Sequence, residues 1–183
     1  MIKKLIVGIL VVVVSQTTLL VFAAMHFPGT ATVSHTTFYG TAAIEGYGST
    51  TAYDNVNLHL FTKAGSQLTI LCANQGGNIA PGQITIAPNI SQTSPNQVPN
   101  KNGNASFSFT IPMLTSNGAG ICPNSNWSIL GFKGTLFATY TGNEFNSSGT
   151  LLAQATLGFQ CNLDASVNPN TTCSKIFETS KVF

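Results

Sequence analysis

The chain has 183 residues, and only 7% of them are charged, against about a quarter in an ordinary globular domain. All seven basic residues are Lys, and beyond Lys3 and Lys4 the remaining Lys are balanced by the five acids, so the body of the chain is formally neutral. It lacks the cationic footprint and guanidinium forks with which proteins bind nucleic acid, and that class of function is set aside.

Lys3 and Lys4 precede an apolar run from Leu5 to Val14 and a second from Leu19 to Met25, separated by Ser15, Gln16, Thr17 and Thr18. A charged start followed by an apolar segment is the pattern of an export signal. Two readings follow. In the first, residues 1–23 are a signal peptide cut after Ala23, with Val21 and Ala23 as the small residues that the peptidase requires, and residues 24–183 are one secreted domain. In the second, Leu5–Met25 stays as a transmembrane helix, since about 20 mostly apolar residues span a bilayer, and the domain is anchored at the membrane.

Beyond this segment the hydrophobic pattern has period two. Three short echoes, Tyr39–Ala43, Lys133–Ala138 and Ser148–Ala153, share a Gly-Thr pair that reads as the start of a strand after a turn. Val56, Leu58 and Leu60 alternate with Asn57 and His59, which predicts a strand with one buried and one wet face. Leu68, Ile70 and Cys72 share a face in the next run, and Ala105, Phe107, Phe109 and Ile111 do so in Asn104–Met113. Trp127–Gly142 reads as one or two strands, with Trp127 and most Phe residues assigned to the core. In Gly149–Cys161, Leu151, Ala153, Ala155, Leu157, Phe159 and Cys161 alternate with Gln154, Thr156, Gly158 and Gln160.

Segments rich in Gly, Pro and Asn separate these runs: Asn74–Gln83 as a turn, Pro88–Asn104 as a long exposed loop, and Thr141–Gly149 as a short hairpin connection. No stretch of 12 or more residues beyond the signal reads as an amphipathic helix. Six to nine short strands predict an all-β fold, an antiparallel β-sandwich of immunoglobulin-like or jelly-roll type. A polar C-terminal tail follows Cys173, with Phe177 and Phe183 available to dock it as an edge strand.

Four cysteines, Cys72, Cys122, Cys161 and Cys173, form an even set beyond the signal, which predicts disulfides in an oxidising compartment. Pairing Cys72 with Cys122 pins the middle of the domain, and pairing Cys161 with Cys173 closes a short polar loop. The spacing contains no C-x-x-C knuckle, so neither a zinc site nor a thioredoxin-like centre is indicated, and the sequence calls for no cofactor or metal. Asn89, Asn146 and Asn170 head Asn-x-Ser/Thr sequons in expected loops and are the candidate glycosylation sites.

Chemistry-bearing residues are few. A glycosidase needs two carboxyl groups across a cleft, and the best-placed pair is Glu45 and Asp54, flanking Tyr47 and Tyr53, whose rings suit stacking on a sugar. The competing reading of this Gly-rich segment is a turn capped by Asp54. His59 falls on a wet strand face, His35 has no partner that stands out, and no nucleophile-elbow, metalloprotease, P-loop or dinucleotide motif occurs. The sequence therefore indicates a noncatalytic, secreted or cell-surface domain with a structural, adhesive or assembly role, whose partners are other extracellular proteins or further copies of itself. The alternative is a carbohydrate-binding module or glycoside hydrolase using Glu45–Asp54.

Overall fold

The computed structural model describes residues 27–45, 55–114 and 120–183. The apolar N-terminal segment and Tyr47, Tyr53 and Asp54 lie outside the described residues. Eleven strands are described: β1 (Gly29–Ser34), β2 (Thr37–Ile44), β3 (Asn55–Thr62), β4 (Gln67–Asn74), β5 (Ile79–Ile86), β6 (Ser91–Thr93), β7 (Ala105–Pro112), β8 (Trp127–Phe145), β9 (Leu151–Asp164), β10 (Asn170–Thr172) and β11 (Ser174–Val182). They form two sheets with antiparallel pairing. The smaller has the order β10-β1-β2-β7, and the larger β11-β9-β8-β3-β6, with β4 also on β8 and β5 on β4.

The strands legible from alternation point the expected side chains inward. Val56, Leu58, Leu60, Leu68, Ile70, Cys72, Ala105, Phe107 and Phe109 are all buried, while Ile111 is half-buried. Of the one or two strands expected at Trp127–Gly142 there is one, Trp127–Phe145, whose 19 residues are long enough to pair with β4 over its first half and β3 over its second, while β9 lies along its other edge. Other expectations need correction. The expected turn at Asn74–Gln83 gives way at Ile79 to β5, which keeps Pro81 and Gly82 because it is an edge strand with an irregular register on β4. The Pro88–Asn104 loop contains β6 and a bridge from Gln97 to Val56. The connection at 141–149 is shorter than expected because β8 runs on to Phe145, and Asn146 then turns the chain by accepting the Ser148 and Thr150 N–H groups on Oδ1. The tail forms β11 on the edge of β9, and the Phe177 ring lies where a side chain on Gly158 would be.

The Gly-Thr echo marks strand starts in only one of its three occurrences. Gly149 and Thr150 precede β9, but Gly40 is inside β2 and Gly134 inside β8. Those two glycines answer to close approach instead. A Cβ at Gly134 would lie 2.2 Å from the Gln67 carbonyl oxygen, and one at Gly40 would lie 1.9 Å from the Tyr140 hydroxyl. One extra residue in β8, Leu130, breaks the register with β4 as a bulge. Its carbonyl accepts the His35 Nδ1–H at 2.9 Å, which joins the β1–β2 turn of one sheet to the long strand of the other.

Tyr140 sits at the centre of the core between the sheets. Its ring is fully buried, within 5.2 Å of Phe159 and 6.2 Å of Phe109, centroid to centroid, and its hydroxyl passes through the gap left by Gly40 to donate to the Thr30 carbonyl at 3.0 Å. On the outer face of the larger sheet an amide chain crosses three strands: Gln154 donates to Asn143, Asn143 to Asn57, and Asn57 to Asn96.

Gly40→Ala should overpack the core and displace the Tyr140 hydroxyl, costing roughly 1–3 kcal/mol in urea denaturation. Gly158→Ala should cost less, because the Phe177 ring at the sheet edge can swing away. Burial raises the Tyr140 phenol above its ordinary value. The unfolded chain therefore releases that proton first, so the contribution is intact below about pH 10 and is lost as pH rises toward the folded pKa. Tyr140→Phe should cost about 1 kcal/mol at neutral pH and show a smaller loss of stability between about pH 9 and 11 than the parent chain. An unchanged alkaline slope would contradict this account.

Candidate functional site

The smaller sheet is built from residues that alternate between apolar and hydroxyl-bearing. In β1, Ala31 and Val33 point inward; in β2, Phe38, Gly40 and Ala42; in β7, Ala105, Phe107 and Phe109. The opposite face then consists mainly of Ser and Thr, because a pleated strand sends successive side chains to opposite sides. The register aligns them in rows across the strands. Thr32, Tyr39 and Thr110 form one row, and Thr30, Thr41 and Ser108 form the next. The Thr30 and Thr41 hydroxyls share a hydrogen bond of 2.8 Å, and Tyr39 is 44% exposed among them. None of the four strands contains Asp, Glu, Lys, Arg or His. A shallow depression of about 550 Å³ lies at the Gly29, Ala43 and Ser106 end of the sheet.

The sheet edges differ in how they meet solvent. β6 and β10 are three residues long, β5 carries Pro81 and an irregular register, and β11 has a bulge together with Lys175, Glu178 and Lys181. Short length, proline, bulges and charge are the devices by which exposed edges avoid pairing with other chains. β7 has eight residues, no charge and an unbroken register with β2, and its one proline, Pro112, is its last residue.

Beside the Ile111–Pro112 end of β7, a groove of about 640 Å³ separates it from β5 and the chain leading to β6; its lining is uncharged, with isoleucines on one part and Asn89, Ser91 and Gln92 on another. Ile70 and Ile121 are buried in its lining, Ile86, Ile111 and Leu114 are half-buried, and Ile84 is 43% exposed.

The residues singled out in the sequence are distributed as follows. Cys72 is bonded to Cys122 and Cys161 to Cys173. The second bond spans the crossover where the chain leaves β10 in the smaller sheet for β11 in the larger. Glu45 follows directly after β2 and is half-buried; its proposed companions Tyr47, Tyr53 and Asp54 are outside the described residues, so no cleft among the four is described. Asn89 is exposed between β5 and β6, and Asn146 holds the β8–β9 turn. Asn170 begins β10 and is not in a loop; it pairs with Ser34 of β1, whose hydroxyl donates to its side-chain oxygen.

The acids whose contacts are described serve the fold. Asp164 pairs with Lys133 at 2.8 Å and accepts from Ser166, and these hydrogen bonds hold its carboxyl below the usual range. Glu178 accepts the Phe27 N–H and pairs with Lys175. His59 bonds the Ser91 hydroxyl on the wet face of β3, as its place in the alternation implied. Among the described residues no group of three His, Cys, Asp or Glu side chains is placed to hold a metal ion. The hydroxyl face and Tyr39 were not singled out from sequence, although the Ser and Thr positions opposite each inward residue in 29–44 and 105–110 carry that signal.

A scan against protein-family models finds no match, and searches of curated proteins and of solved structures find none.

Peptide mapping without reduction should recover the 72–122 and 161–173 links and no free thiol. In the chain-entropy account, Cys161→Ala with Cys173→Ala should cost roughly 3 kcal/mol, and removal of the 72–122 bond roughly 4, because it closes a longer loop. Free thiols in protein from its native compartment would contradict the framework.

Proposed function

We propose that this chain is an exported, noncatalytic domain, secreted or held at the cell surface, that acts by surface contact as a structural, adhesive or assembly component. One observation carries the reading: four strands without a charged residue present an ordered array of hydroxyls on one face and end in β7, an edge without charge or bulge that no strand among the described residues covers. A formally neutral domain meets a neighbour without long-range repulsion. Two-sheet scaffolds of the immunoglobulin-like or jelly-roll kind suit this role because their faces and edges are broad and rigid. Export is supported by the charged and apolar N-terminal pattern and by two disulfides, which persist outside reducing compartments. Retention of the apolar segment would make the domain membrane-anchored, and cleavage after Ala23 would release it. The partners are extracellular proteins or further copies of the chain, and the sequons at Asn89, Asn146 and Asn170 would carry glycans where the source organism makes them.

The exposed Tyr39 ring among hydroxyls favours carbohydrate as a second class of ligand, since a sugar face stacks on an aromatic ring while its hydroxyls bond to the surrounding side chains. In that reading Glu45, directly after β2, adds a polar group beside the sheet.

Replacing Glu45 and Asp54 together by Ala should leave surface attachment or assembly intact and cost at most about 1 kcal/mol of stability. A hydrolytic activity in the parent chain that is lost in the folded double variant would reject the noncatalytic reading. Retention of the chain on an oligosaccharide column that Tyr39→Ala abolishes would select carbohydrate as the ligand.

A further inference from the structure

Hydrogen bonding fixes which backbone groups of β7 are unused by the sheet. The Met113 N–H donates to the Thr36 carbonyl, so these two residues form a hydrogen-bonded pair of the β2–β7 ladder. Such pairs recur at every second residue in an antiparallel ladder, and the register between β2 and β7 is unbroken. Ala105, Phe107, Phe109 and Ile111 therefore direct their N–H and C=O groups to β2. Ser106, Ser108 and Thr110 direct theirs outward, where no strand among the described residues receives them, and Pro112, the next outward position, offers a carbonyl but no N–H.

The two sheets also end at different places on this side. β1 and β10 contact β9, and Gly40 of β2 receives Tyr140 of β8, so β7 lies over the strands next to β8, namely β3 and β4. The larger sheet continues one strand further, to β5 and β6. Above that overhang the smaller sheet has no described strand, and the space is the uncharged groove with Ile84, Ile86 and Ile111 in its lining. One more strand beside β7, at the usual spacing of about 4.8 Å, would lie over the overhang.

We propose that this edge and groove form a strand-addition site for an extended, uncharged segment of a partner chain, with β-branched aliphatic residues at alternate positions facing the groove and Ser or Thr between them. The outward N–H and C=O groups of Ser106, Ser108 and Thr110 supply main-chain pairing, and the groove receives alternate side chains. The lack of charge along β7 and in the groove lining selects an uncharged segment, because an unpaired charge would lose its hydration there. A second copy joined edge to edge through β7 fits less well. Its larger sheet would carry the same overhang, and the two overhangs would meet before the β7 backbones reached pairing distance. The proposal deepens the contact-domain reading and rests on it, by naming the surface and the form of partner.

The test uses the full chain and a labelled peptide, KTVTITVTK, with KTVTPTVTK as a control that cannot pair as a strand. Fluorescence anisotropy should show saturable binding of the first peptide and at least tenfold weaker binding of the second. Ser108→Pro removes an outward N–H that the β2–β7 ladder does not use and should weaken binding at least tenfold with the melting temperature nearly kept, whereas Ser108→Ala should bind as the parent does. Ile84→Lys should weaken binding by placing a charge in the groove. Hydrogen exchange at the amides of Ser106, Ser108 and Thr110 should be fast in the free chain and slowed by the first peptide.

Absence of binding, or equal binding by folded Ser108→Pro, overturns the proposal. So does protection of those three amides in the free chain, which would mean that a second copy or the chain's own remaining residues already occupy the edge. Each of these outcomes leaves the noncatalytic reading to be judged by the hydrolysis assay on the Glu45 and Asp54 variant.

Discussion

A buried phenol needs a hydrogen-bond partner, and Tyr140 finds its partner on the opposite sheet. Its hydroxyl reaches the Thr30 carbonyl only because Gly40, between them on β2, has no side chain. The contact fixes the separation and alignment of the sheets at one point in a core otherwise filled by Phe38, Phe109, Phe159 and aliphatic residues, whose attraction is strong but not directional. Closer approach would drive the phenol into β2, and greater separation would leave its hydroxyl unpaired in an apolar core. The outward hydroxyl rows of β1, β2 and β7 inherit their placement from this inner arrangement.

The 19-residue strand β8 carries the second constraint. It serves β9 on one edge and both β3 and β4 on the other. Its irregular points, the glycines at 131 and 134 in positive-φ conformations that side chains rarely adopt and the bulge at Leu130, all fall in the half that pairs with β4. The bulge leaves a carbonyl for His35, and the chain crossing between the sheets from β10 to β11 is secured by the Cys161–Cys173 bond. Irregular points in the larger sheet thus become points of attachment to the smaller one.

These constraints also produce the asymmetry on which the functional reading rests. β4 and β3 share one long neighbour, so the larger sheet acquires β5 and β6 beyond the last strand of the smaller sheet. The overhang exposes isoleucines that a further strand would cover, and β7 stands beside it without the charges and bulge that guard β11. The cost of leaving such an edge is a tendency to pair with other chains, and the return is an interface that binds through the backbone with modest demands on sequence.

By itself, the sequence determined the all-β class, most inward-facing residues and the even set of cysteines, because alternation and composition are local properties that hold wherever the strands end up. It also marked Asn146 and its neighbours as a turn. It did not disclose that Gly40 and Gly134 are sites of close approach within strands, since the atoms that demand the missing side chains come from Tyr140 and Gln67, far away in the chain. Nor did it disclose that Ile79–Ile86 forms an edge strand despite Pro81, because tolerance for proline depends on which side of the strand is paired. The hydroxyl rows, the edge of β7 left unpaired among the described residues and the overhang beside it were decided only by the tertiary structure, because register between strands and the relative width of two sheets are properties of their packing and leave no periodic trace in any one segment.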